Sequence, residues 1–147
     1  LNKMSLPMLA ILMTSVGVIG VGAVVFNWTM TFPGNTVVIT DGGNGWLVTA
    51  TFPHNFGSII QGSGSESHPI IVKNIGNVAK PLYVYSPNLP LSAQLRVFTN
   101  VGKTTIYTQG TVLPVGQELH LWLDILASDN GNPGTYTFSI IITYLII

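Results

Sequence analysis

Thr135-Tyr136-Thr137-Phe138-Ser139-Ile140-Ile141-Ile142-Thr143-Tyr144-Leu145-Ile146-Ile147 is the most regular stretch of the sequence, and its period fixes the character of the body it belongs to. Tyr136, Phe138, Ile140, Ile142, Tyr144 and Ile146 fall on one side of an extended chain. Thr135, Thr137, Ser139, Ile141 and Thr143 fall on the other, which turns apolar only toward Leu145 and Ile147. Successive side chains of a strand point to opposite faces, so this alternation predicts a strand with one buried face. A terminus ending Tyr144-Leu145-Ile146-Ile147 invites aggregation in a free monomer. Those four residues are expected either to finish the domain core or to be covered by a neighbour.

The same period runs upstream. Leu119, Leu121, Leu123 and Ile125 alternate with His120, Trp122 and Asp124; Trp46, Val48, Ala50 and Phe52 alternate with Leu47, Thr49 and Thr51. Short strands are predicted at Ile70 to Lys73, Leu82 to Tyr85, Gln94 to Phe98 and Thr104 to Tyr107. Turn residues separate them: Pro33-Gly34-Asn35, the run Asp41 to Gly45, Asn74-Ile75-Gly76-Asn77, Pro87-Asn88-Leu89-Pro90 and Asn100-Val101-Gly102. About eight short strands at this spacing predict an immunoglobulin-like antiparallel β-sandwich over residues 28–147. No cysteine is present to pin it.

Residues 1–27 read differently. From Met4 to Phe26 there is no charged residue, and only Lys3 precedes the run. Coiled as a helix, this run would reach about 34 Å, enough to cross the hydrocarbon of a bilayer. A helix apolar on all sides must be buried in lipid or in protein. Leu6, Leu9, Ile11, Leu12, Val16, Gly17, Ile19, Gly20 and Val24 are the candidate packing residues, the glycines allowing close backbone approach. Pro7 is compatible with a first turn. The apolar part is longer than that of a secretory signal peptide, so it is expected to be retained. The expected class is thus α+β: one long N-terminal hydrophobic helix followed by the sandwich.

Composition narrows function. Charged residues are 7% of the 147 positions and apolar types 47%, against about 25% charged in an ordinary globular chain. Five basic and five acidic residues cancel, leaving no electrostatic footprint for nucleic acid and no polybasic stripe for anionic lipid. Such a surface needs sugars or neighbouring subunits over it. Asn27-Trp28-Thr29 is the one Asn-X-Ser/Thr sequon, making Asn27 the glycosylation candidate. The absence of cysteine excludes disulfides, thiolate metal sites and thiol nucleophiles.

Catalytic candidates are few: His54, His68, His120, Asp41, Asp124, Asp129, Glu66 and Glu118. None has the spacing of a metal site or a nucleophile elbow. Gly62-Ser63-Gly64-Ser65 reads as a loop. His120 and Asp124 share a strand face but stand about 13 Å apart along it, and Glu118 with His120 reads as a solvated pair. Asp41-Gly42-Gly43-Asn44-Gly45 has too few carboxylates for Ca²⁺. The expectation is no catalysis, no cofactor and no metal.

An uncharged run from Met4 to Phe26 followed directly by a β-domain resembles archaeal type IV pilins, above all adhesive pilins of crenarchaeal type. That resemblance implies a class III signal peptide clipped ahead of the apolar helix, leaving a residue such as Leu1 first. It further implies a precursor held in the cytoplasmic membrane, helices bundled in the core of an extracellular helical homopolymer, and outward, often glycosylated β-domains that mediate cell adhesion to a surface or receptor. Ser5 stands where bacterial type IV pilins carry glutamate, which disfavours those. The phrases Ile70 to Val78, Leu113 to Gln117 and Pro133 to Phe138 are similar to those of TasA-like fibre subunits. There an N-terminal strand, here Phe26 to Phe32, completes a neighbour's sheet. A surface binding module anchored by one transmembrane helix is the remaining alternative.

Overall fold

A computed structural model describes residues 28–40 and 45–144. Eleven strands follow one another: β1 (Thr29–Phe32), β2 (Asn35–Thr40), β3 (Trp46–Thr49), β4 (Gly57–Ile60), β5 (His68–Asn74), β6 (Lys80–Tyr85), β7 (Ala93–Phe98), β8 (Thr111–Leu113), β9 (Glu118–Ala127), β10 (Gly134–Thr135) and β11 (Phe138–Thr143). They form a three-stranded sheet of order β10-β1-β4 and two four-stranded sheets, β2-β11-β6-β8 and β3-β5-β9-β7.

The α+β expectation, a long N-terminal hydrophobic helix on an antiparallel two-sheet sandwich, is corrected. The described residues are all-β, with no helix among them and three sheets in place of two. The physical reason for the third sheet lies at two kinks. β1 and β2 are consecutive pieces of one path, broken at Pro33-Gly34; β10 and β11 are another, broken at Tyr136-Thr137. The two paths run parallel: Met30 opposes Gly134 and Thr31 opposes Thr135, and beyond the kinks Phe138 to Thr143 oppose Asn35 to Thr40. Proline removes a ladder donor and glycine relaxes the backbone. The first path leaves one sheet for another at Pro33-Gly34; the second, with neither residue at Tyr136-Thr137, stays paired with it there, Tyr136 N donating to the Thr31 carbonyl at 2.8 Å. These parallel pairs also depart from the expected all-antiparallel ladder.

The helix expectation fell on residues 4–26, and its packing residues Leu6, Leu9, Ile11, Leu12, Val16, Gly17, Ile19, Gly20 and Val24 lie outside the described residues, as does Asn27. Apolarity all along a segment marks a need for burial. It does not by itself fix a period of 3.6. Among the described residues no helix is long and apolar enough to cross a membrane.

The period-two reading of the β-body locates the core well. Phe138, Ile140 and Ile142 are buried as one face of β11, and Leu121, Leu123 and Ile125 as one face of β9. Leu82 and Val84 of β6, Ile70 and Val72 of β5, and Met30, Phe32 and Ile59 of the small sheet join them in one cluster. Each such side chain contributes about 1.5–3 kcal/mol on burial. Phe32 stacks on Tyr136 at 5.7 Å and meets Phe138 edge-on at 5.9 Å, so aromatic contacts span the kink.

The chain enters this body at Trp28. A Cβ on Gly131 would stand 2.8 Å from the Trp28 ring, so only glycine lets the ring lie there. The Trp28 carbonyl accepts a hydrogen bond from Gln61 N at 3.1 Å. The far end of the body, about 30 Å away along the ten residues of β9, is tied by buried Asn74. Its Nδ2 donates to the carbonyls of Val78 (2.8 Å) and Leu113 (2.9 Å), and its Oδ1 accepts Gly76 N.

Candidate functional site

Charge is divided unequally between the two four-stranded sheets. On the solvent side of β3-β5-β9-β7, the register aligns Leu47 with Lys73 and Glu118, Thr49 with Ile71 and His120, and Asp124 with Arg96. Lys103 reaches the same side from the loop after β7. The outer side of β2-β11-β6-β8 aligns Thr36 with Ser139, Val38 with Ile141 and Tyr85, and Pro81 with Val112, and at its end Thr40 and Tyr83 flank a fully buried Thr143. No acid, lysine, arginine or histidine occurs on it. Lys80 is the single charged residue on these four strands. It is on the inward face, 6% exposed, with its ammonium 5.7 Å from the Trp46 ring centre and 5.1 Å from that of Tyr144. Val38 and Val112 are about half exposed on the uncharged face.

The charged sheet carries its own internal clamp. Asp124 is fully buried; its Oδ1 accepts Arg96 Nε at 2.8 Å, and its Oδ2 accepts Arg96 Nη2 at 2.6 Å and Lys103 Nζ at 2.8 Å. Lys103 Nζ also donates to the Ser65 carbonyl at 2.9 Å, and Ile125 N donates to Ser65 Oγ at 2.9 Å. Gly64 closes over the pair, where a Cβ would come within 2.6 Å of Arg96 Nη2. The loop before β5 and the loop after β7 are thereby pinned to one carboxylate. A carboxylate whose oxygens accept three hydrogen bonds from two cations is a strut and a poor acceptor for a substrate proton.

A second buried polar group lies on the inner side of the same sheet, where His68 opposes Leu123, the neighbour of Asp124. The His54 and His68 rings stack at 4.7 Å between Phe52 and Phe56, and His54 is 6% exposed. Nε2 of both rings is buried without a hydrogen-bond partner. Burial, and then the neighbouring His68, lower the His54 pKa from 6.5 to about 4.

The sequence-predicted candidates are scattered by the fold. His120 and Asp124 do not meet: His120 sits 3.6 Å from Glu118 with both about half exposed, and Asp124 belongs to Arg96 and Lys103. Asp41 lies outside the described residues. Of the sequon, Thr29 is exposed at the start of β1. The Arg96–Asp124–Lys103 clamp and the stacked histidines went unforeseen. The signal for the first was an arginine and an aspartate each centred in an otherwise nearly uncharged strand; nothing in the spacing of His54 and His68 announced the second.

No known protein family matches the chain, and no curated protein matches it either.

Proposed function

We propose that the chain is a structural subunit of an extracellular filament of archaeal type IV pilus type. The uncharged segment Met4 to Phe26 and the uncharged sheet face are buried among identical copies, and the charge-bearing sheet faces outward toward the surface or cell the filament adheres to. The observation that carries this reading is the segregation of charge. A face with no ionised group can be covered by another subunit without stranding a buried charge, whose removal from water costs several kcal/mol. The opposite sheet, with Lys73, Glu118 and His120 exposed or half-exposed, would incur that cost. Copies related by a rotation that does not close extend as a filament. Before assembly the same apolar segment holds the precursor in the cytoplasmic membrane.

The donor-strand alternative assigns Phe26 to Phe32 to a neighbour's sheet. Thr29 to Phe32 instead pair with β4 and β10 of their own chain, which supports the pilus reading over it. Isolation of cell-surface filaments and mass spectrometry of their protein tests the proposal. This polypeptide as the main filament component is the expected result; its recovery only as single copies in membranes favours the anchored binding module.

A further inference from the structure

We propose that β2 is a docking edge for a second copy of this chain, the two β2 strands pairing antiparallel about a two-fold axis at Val38 and joining two four-stranded sheets into one. This inference does not rest on the filament reading. It concerns a closed pair of subunits, distinct from the non-closing contacts of a filament.

Among the described residues β2 is the outer strand of its sheet, bonded only to β11. An unpaired strand edge offers a row of amides and carbonyls to another chain, and proteins guard against this with short strands, charges, prolines or covering loops. The other outer strands among the described residues are guarded. β10, β8, β4 and β3 have two to four residues. β7 carries Arg96, and its far side is bridged by Ile106 to Phe98 and by Tyr107 N to the Val97 carbonyl. β2 has six residues, Asn-Thr-Val-Val-Ile-Thr, with no charge and no proline. Its first residue is already engaged, since Asn35 Nδ2 donates to the His54 carbonyl at 3.0 Å. The open portion is therefore Thr36 to Thr40.

The occupant follows from symmetry and chemistry. Antiparallel strands related by a two-fold axis normal to the sheet keep both cores on one side, so residues of equal parity must oppose each other. Centring on Val38 sets Val38 against the partner's Val38, Val37 against the partner's Ile39 and Thr36 against the partner's Thr40. Thr36 to Thr40 is the open portion left by Asn35. Half-exposed Val38 and Ile39 each gain a β-branched apolar neighbour, the kind of cross-strand pair that stabilises sheets. No like charges meet, and the uncharged solvent face continues unbroken across the junction. Centring on Val37 instead would set Ile39 against Asn35 and needs the engaged end. The chain's own leading segment is the competing occupant.

The test uses the full chain in mild detergent. It has no cysteine, so Val38→Cys supplies a single thiol that the proposed axis places against its twin. Mild oxidation is expected to give a disulfide dimer for Val38→Cys and little for Val101→Cys, a more exposed control in the loop after β7. In ultracentrifugation, Val38→Lys alone and Val38→Glu alone are expected to lose the dimer, and mixing the two to restore it. Equal cross-linking of Val38→Cys and Val101→Cys, or retained dimer in both charged variants, overturns the proposal. So does failure of the mixture to recover, and occupation of the edge by the chain's own leading segment would show itself as no cross-link at position 38.

Discussion

Arg96 grips Asp124 through both carboxylate oxygens, Nε to Oδ1 at 2.8 Å and Nη2 to Oδ2 at 2.6 Å, directly across the β7–β9 ladder. Asp124 has no exposure at all, whereas Arg96 and Lys103 keep about a quarter of their side chains in water. Removing the arginine therefore leaves a buried charge with one partner, and removing the aspartate leaves two cations at the rim.

Arg96→Ala is expected to destabilise the body by about 1.5–3 kcal/mol, the usual worth of hydrogen bonding to a charged group, because Lys103 still pairs the buried carboxylate. Glu118→Gln, which breaks only the exposed contact to His120, is expected to change stability by less than about 1 kcal/mol. Urea unfolding of both variants checks the contrast, and equal effects would show that the clamp is not a strut.

Acid should act through His54. Its folded pKa is depressed from 6.5 to about 4, so the unfolded chain binds the proton more readily in that window. The stability held above pH 6.5 is lost as pH falls toward 4, by about 3 kcal/mol over the full window. His54→Phe, which keeps an aromatic ring beside Phe52 and Phe56, is expected to flatten this slope. Thermal melting between pH 7 and 4 measures it, and an unchanged slope in the variant would assign the acid sensitivity elsewhere.

Asn74→Ala should loosen the end of the body away from Trp28. It strips the buried Leu113 carbonyl of its side-chain donor, at about 1–3 kcal/mol for that group. Asn74→Asp is expected to be no better, because a carboxylate cannot donate to the Val78 and Leu113 carbonyls. Hydrogen exchange at Gly76, whose amide donates to Asn74 Oδ1, should quicken in Asn74→Ala, and urea unfolding should show both variants destabilised.

Val112→Glu places a charge on the uncharged face at a half-exposed position. It is expected to leave subunit stability within about 0.5 kcal/mol and to suppress polymerisation. Val101→Glu, in the exposed loop after β7, is expected to leave both stability and polymerisation unchanged. Light scattering of the two variants under assembly conditions compares them; equal polymerisation would remove the uncharged face from the assembly contact.

Much of the β-body was legible in the sequence, because a half-buried strand writes its period directly. Phe138, Ile140 and Ile142, and Leu121, Leu123 and Ile125, were placed on buried faces by alternation alone. Strands β2, β4 and β8 are absent from the sequence reading, and β1 enters it only as a donor strand: Thr29–Phe32 and Asn35–Thr40 are short, interrupted by Pro33-Gly34, and each has a parallel partner about a hundred residues away, which local pattern cannot reveal. Thr104 to Tyr107 resembled a strand and contributes only a bridge at Ile106. The α+β class came from reading a charge-free run as a helix, although such a run specifies dryness more than dihedral angles. The charge segregation depends on which strands share a sheet. That is a property of topology, invisible in a sequence whose few charges look evenly spread.

The account rests on burial of the uncharged surfaces among copies of the chain, and an electron cryo-microscopy reconstruction of filaments containing this polypeptide tests that most directly. The predicted map places residues 4–26 at the filament axis, turns Val38, Ile141 and Val112 toward neighbouring subunits, and leaves Lys73, Glu118 and His120 on the outer wall. A map with the charged sheet packed inward and the uncharged face open to solvent, or with residues 4–26 held in lipid, would contradict it.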